Sequence, residues 1–164
     1  MTKNKQTFLL LLEQHKGILI KICNAYCQAK DDKEDLSQEI VYNLWKAFAN
    51  YTPDHKFSTW LYRVALNVAI SYYRKEKRSL QYTPYDENLI VFSEEGYNKE
   101  LEGNLLLLQQ FIFELKEIDK SIMLLYLDDK SYHEIAEITG ISETNVATKI
   151  SRIKANLKTK FSNY

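Results

Sequence analysis

The chain has 164 residues, 45 % of them apolar, and its 22 basic residues balance 22 acidic ones. Enough apolar side chain is present to build a packed core, which argues against general disorder. With 4 glycines, 2 prolines and no alternating segments joined by hairpin turns, helix is the default reading almost everywhere. No signal peptide is evident, and the apolar run Phe8 to Leu12 is far too short to span a bilayer. A cytoplasmic chain without membrane insertion is expected.

Residues Gln6 to Ala29 read as a first helical region with Phe8, Leu11, Leu12, His15, Leu19, Ile22, Cys23 and Tyr26 near one face. Gly17 marks a bend or a break within it. Cys23 and Cys27 lie one helical turn apart, but no second Cys or His pair completes a metal site, so they read as small buried hydrophobes.

The next helix starts after Asp31-Asp32, where acids complement the helix dipole. Leu36, Ile40, Leu44 and Ala47 form its apolar stripe, which Val41, Trp45 and Phe48 broaden. Asp35, Gln38, Glu39 and Asn43 occupy the other face. On pattern alone this is amphipathic packing with solvated acids; a docking surface for a basic partner is the alternative.

A loop from Asn50 to Lys56 follows, with Ser58 or Thr59 as the expected N-cap of a long helix reaching Arg78. Leu61, Val64, Ala65, Val68 and Tyr72 are expected to face a core. Trp60, Arg63, Asn67, Ser71, Arg74 and Arg78 recur on the opposite side, and Arg74 to Arg78 is a basic run. An aromatic, an amide and guanidinium groups on one stripe suit a phosphate backbone and unstacked bases. An ordinary solvated face has the same pattern, so the stripe alone decides nothing.

From Ser79 to about Gly103 the periodicity fails, turn residues and acids dominate, and a linker is the natural reading. Helix returns from Leu105 to Lys116. Asp119 is the expected cap of a helix from Lys120 to Leu127, which the turn Asp128-Asp129-Lys130 ends. Ser131 and Glu134 are set out as a capping box before Tyr132 to Thr139, and Gly140 suits a left-handed turn.

The last helix runs from Glu143 to about Lys160, with Val146, Ile150, Ile153 and Leu157 on its apolar side. Thr144, Asn145, Thr148, Lys149, Arg152 and Asn156 stand elsewhere on it, offering amides and hydroxyls for base edges and cations for phosphates. Turn, caps and both apolar faces agree on a DNA-binding helix-turn-helix, with a plain packed helix pair as the alternative. His133-Glu134 begins like a zinc-protease motif, but Glu137 holds the second histidine position. No phosphate loop or nucleophile arrangement is present, so neither an enzyme nor a cofactor or metal site is expected.

The layout resembles a bacterial sigma factor of the sigma-70 family, in its small extracytoplasmic-function (ECF) branch. The residues that carry the resemblance are Glu34 to Glu39 with Leu44-Trp45, then Phe57 to Asn67, then Ser131 to Ser142, in that order. It implies an all-α fold of two small helical domains joined by a flexible acidic linker. Residues 1–79 would be a region 2-like domain, 80–103 the linker and 104–164 a region 4-like helix-turn-helix domain.

The same resemblance implies that Asp35, Gln38 and Glu39 dock on the β′ clamp helices of core RNA polymerase. It implies that Trp60, Arg63, Asn67, Arg74, Lys75 and Arg78 engage the −10 element and melted strand. Thr144, Asn145, Thr148, Lys149 and Arg152 would read the −35 element, the loop Tyr51 to Lys56 would capture a flipped-out −10 base, and an anti-sigma factor is an expected partner. The chain departs from the family pattern at Ser71, usually an Asp, and at Thr144 to Lys149 in the recognition helix. The rival reading is a conventional helix-turn-helix regulator with an N-terminal sensing or dimerisation domain.

Overall fold

The computed structural model describes residues 3–79 and 99–163, with side chains for 3–76 and 100–163. Among the described residues there are eight α-helices, which form two compact units. The expected linker falls mostly on residues 80–98, outside the described residues, as does the side chain of Arg78.

The first unit contains α1 (Lys5–Gln14), α2 (Lys16–Tyr26), α3 (Lys30–Phe48) and α4 (Phe57–Ser79). Asn4 caps α1, its side-chain oxygen accepting from Thr7 N–H at 2.8 Å. The first helical region does break, but at His15 rather than at Gly17. His15 Nδ1 lies 2.8 Å from the Leu11 carbonyl oxygen, so the imidazole satisfies a carbonyl left open where α1 ends.

Leu36, Ile40, Leu44 and Phe48 of α3 are buried at helical spacing, as expected, against α2 and α4. On α4 the buried set is Phe57, Leu61, Tyr62, Ala65, Leu66 and Ala69, while Val64, Val68 and Tyr72 are only half-buried. The core face is therefore turned from the expected one. Two helices, α2 and α3, pack on α4, so burial spreads over a wider arc than a single stripe.

The start of α4 also differs from expectation. Trp60 N–H donates to the Lys56 carbonyl at 3.2 Å, so the helix begins at Phe57 and neither Ser58 nor Thr59 is its cap. Phe57 is buried against His15, Tyr51 and Trp60, and that packing draws the chain into the helix two or three residues early.

The second unit contains α5 (Lys99–Phe113), α6 (Glu117–Leu127), α7 (Tyr132–Thr139) and α8 (Glu143–Ser162). Helix α5 begins earlier than expected and runs through Gly103. Helix α6 starts at Glu117, placing Asp119 in its first turn instead of at the cap. It ends where Lys130 N–H donates to the Leu125 carbonyl and Asp129 takes a left-handed φ of 56°, which a short polar side chain tolerates.

Candidate nucleic-acid interface

The helix-turn-helix of the second unit is built from strong local signals. Ser131 Oγ accepts from Glu134 N–H at 3.1 Å, and the Glu134 carboxylate accepts from Ser131 N–H at 2.9 Å, completing the capping box. Gly140 ends α7 with φ 77°, and Ser142 Oγ accepts from Asn145 N–H to cap α8. Ile135 and Ile138 of α7 are buried, as are Val146, Ile150, Ile153 and Leu157 of α8.

Thr144, Asn145, Thr148 and Arg152 are all exposed on α8, as is Asn156. Lys149 is engaged elsewhere: its ammonium sits 2.9 Å from the Asp119 carboxylate of α6. Further along, Lys154 donates to the Tyr126 hydroxyl at 3.1 Å and Lys160 to the Glu114 carboxylate at 2.6 Å. Much of the basic C-terminal run thus fastens α8 to its own unit. Arg152 remains the exposed cation beside Thr148 and Asn145, a guanidinium suited to bidentate contacts.

In the first unit, Arg63, Asn67, Ser71 and Arg74 form an exposed row along α4, and Lys75 is exposed beside them. Nothing in the structure accounts for Ser71. Trp60, at the head of the row, is half-buried, its ring centroid 5.0 Å from Tyr51 and 5.3 Å from Phe57. It anchors an aromatic cluster as well as fronting the row.

That cluster also shapes the adjoining loop. Tyr51 is buried against Phe48, Phe57 and Trp60, and its hydroxyl donates to the His55 carbonyl at 2.9 Å. Burial pushes the Tyr51 phenol up, still further from ionising. Thr52 to Lys56 are exposed on this closed loop.

On α3, Asp35, Gln38 and Glu39 are exposed together. Beside them an open, mostly apolar groove runs between α1 and α3, lined by Phe8, Leu9, Gln38, Val41, Tyr42 and Trp45. Trp45 was expected to broaden the core stripe; it is 43 % exposed, and Tyr42 is 60 % exposed. Tyr42 stands outside both faces read from the sequence, although an aromatic on the opposite side of α3 from Leu44 signals an exposed apolar surface.

Among the described residues no group of three His, Cys, Asp or Glu side chains is set to hold a metal ion. Burial pushes the Cys23 thiol up to about 11, with Lys33 pulling the other way. Among the described residues, too, no helix is long and apolar enough to cross a membrane.

An exposed polar face on the second helix of a helix-turn-helix in one unit, and in the other a row of arginine and asparagine on α4 beside an aromatic-braced loop, outline an all-helical protein of two compact units among the described residues. Residues 11–79 match the family model for sigma-70 region 2, and residues 105–157 match that for sigma-70 region 4. The chain belongs to the sigma-70 family, as an RNA polymerase sigma factor of the ECF type.

It is 26 % identical to the ECF sigma factor SigW of Bacillus subtilis, covering 94 % of this chain and 89 % of that one. Against the ECF sigma-E factor of Escherichia coli the identity is 28 %, covering 96 % and 87 %. Among solved structures, the fold is similar to that of RpoE from Bartonella quintana, in complex with the anti-sigma factor NepR. The TM-score there is 0.73 at 20 % identity, covering 96 % of each chain. It is also similar to CnrH in complex with the cytosolic domain of CnrY, with TM-score 0.69 at 20 % identity, covering 98 % of this chain and 90 % of that one.

The protein directs RNA polymerase to promoters for initiation, and sigma factors are non-enzymatic polymerase subunits. Region 2 fills the N-terminal half, which sets aside a conventional regulator with a sensing or dimerisation domain there.

Proposed function

We propose that the chain divides its work along its length, with residues 1–79 docking on polymerase and engaging the −10 element, 80–103 linking, and 104–164 reading the −35 element. Asp35, Gln38 and Glu39 meet the β′ clamp helices, and the apolar groove at Val41, Tyr42 and Trp45 adds the burial that exposed charges alone do not supply. Trp60, Arg63, Asn67, Arg74, Lys75 and Arg78 follow the −10 strand, where amide and guanidinium groups hold melted DNA without catalysing its opening. Tyr51 holds the loop to Lys56 in shape for an unstacked base.

In the major groove of the −35 element, Thr144, Asn145, Thr148 and Arg152 make the direct contacts. Lys149 braces α8 through Asp119 and reaches DNA only by giving up that pair. An anti-sigma partner, supported by the partners present in the two similar structures, holds the chain inactive in the cytoplasm.

The observation that carries this reading is the exposure of three separate polar sets, on α3, α4 and α8, each beside a well-buried stripe on the same helix. Core RNA polymerase supplied with the full chain is expected to give run-off transcripts from a selected promoter. Replacing Asp35 and Glu39 by Ala should abolish polymerase capture, whereas Arg152→Ala should leave capture intact and weaken promoter binding with a shallower salt dependence. Polymerase capture unaffected by the α3 changes would refute the docking assignment.

A further inference from the structure

His133 lies near the start of α7, exposed, and is not used by the interfaces described above. Its two ring nitrogens face two different carboxylates. Nδ1 is 2.7 Å from Glu143, the first residue of α8, and Nε2 is 3.3 Å from Glu137, one turn along α7. The imidazole therefore bridges the two helices of the helix-turn-helix on its exposed side.

A neutral imidazole carries one N–H and so can donate to only one of these oxygens; the other nitrogen would turn a lone pair toward a carboxylate. Imidazolium donates to both. The geometry thus fits the protonated ring. The hydrogen bond with Glu143, then the charges of Glu137 and Glu143, push the His133 pKa up from its ordinary value. Glu134, the neighbouring acid, is turned to the Ser131 amide, and among the described residues no charged group of α6 acts on the ring.

The position matters because the first helix of this motif crosses the DNA backbone while the start of the second enters the groove. Two carboxylates there repel phosphate and oppose Arg152. We propose that His133 is a proton-operated clasp across the helix-turn-helix, which turns Glu143 back toward α7, offsets the charge of Glu137 and Glu143, and tunes −35 affinity to pH. This rests on the assignment of α8 as the −35 reader.

With the ring protonated the three side chains sum to one negative charge; with it neutral they sum to two. One added charge at roughly 7 Å from a phosphate in a water-like dielectric changes binding about threefold, less at high salt.

The test uses holoenzyme reconstituted from core polymerase and the full chain, with a duplex that this holoenzyme recovers from a random-sequence pool. Affinity is measured at about pH 6 and about pH 9, on either side of the raised histidine range. The wild-type chain is expected to bind about threefold tighter at the lower pH, with the gap widening as salt falls. His133→Gln should bind with little pH difference. The double change Glu137→Gln with Glu143→Gln should bind more tightly than the wild-type chain at both pH values, and it keeps a pH difference because its imidazole, back in the ordinary histidine range, still titrates between them. The imidazole titration of His133, followed by NMR in the wild-type full chain, should lie above the ordinary histidine value and fall back in the double variant.

A His133→Gln holoenzyme that keeps the full wild-type pH difference, or a wild-type His133 titrating at or below the ordinary value, would overturn the clasp. Arg152→Ala separates the two assignments. If it leaves binding unchanged at both pH values, the −35 reading of α8 fails; if it weakens both while His133→Gln changes nothing, only the clasp fails.

Discussion

Gly140 offers a clean test of what the turn between α7 and α8 demands. Its φ is 77° and ψ 16°, a left-handed conformation, and a Cβ added there would meet nothing within 4 Å. Gly140→Ala therefore carries a backbone cost and no packing cost. The left-handed penalty of about 1–2 kcal/mol is partly offset by the reduced freedom of the unfolded chain, worth about 0.4–1 kcal/mol. A net loss of about 1 kcal/mol remains, which for a unit of this size lowers its midpoint by roughly 4–8 °C.

Both tryptophans, Trp45 and Trp60, belong to the first unit, so their fluorescence follows that unit alone, whereas far-UV circular dichroism follows the helices of both units. Gly140→Ala should lower the dichroism step that fluorescence does not share and leave the tryptophan transition in place. Gly140→Asn should cost less than Gly140→Ala, because Asn tolerates the left-handed region. An Asn variant as damaging as the Ala one would refute the conformational argument. A loss above about 3 kcal/mol would point to a steric clash instead.

Three further outcomes follow from the same geometry. Tyr51→Phe keeps the ring packing but removes the hydroxyl bond to the His55 carbonyl, and should cost the first unit about 1 kcal/mol by tryptophan-monitored urea unfolding. Cys23 and Cys27 are buried, and with Cys23 pushed up to about 11 only about a thousandth of it is thiolate near pH 8. A disulfide reagent should then modify these thiols no faster than the first unit opens, and rapid labelling of the folded chain would contradict this. Because folding raises the His133 pKa, its contribution to the second unit is fully present below the unfolded value and is lost as pH rises through the folded one. The dichroism midpoint of that unit should carry this slope in the wild-type chain, and His133→Gln should not.

Legibility in the sequence followed the range of the interactions involved. The capping box at Ser131 and Glu134, the left-handed Gly140 and the stripe Val146, Ile150, Ile153 and Leu157 all depend on residues within a turn or two of one another, and all stand as read. The stripe Leu36, Ile40 and Leu44 was legible for the same reason, and the exposed partners Asp35, Gln38 and Glu39 followed from it by helical period.

What the sequence determined by itself was the helical content, the helix-turn-helix and which polar residues share a helix face, because caps and period act locally on the backbone. The tertiary structure alone decided how far around α4 burial extends, where α4 starts and which side chains are already committed. Phe57 begins a helix because its ring is buried against His15 and Tyr51, and Trp60 is half-buried because Phe48 and Tyr51 reach it from elsewhere in the chain. Lys149, read as a DNA contact, is paired with Asp119, thirty positions away. Spacing along one helix carries no information about the charge that another helix brings to it.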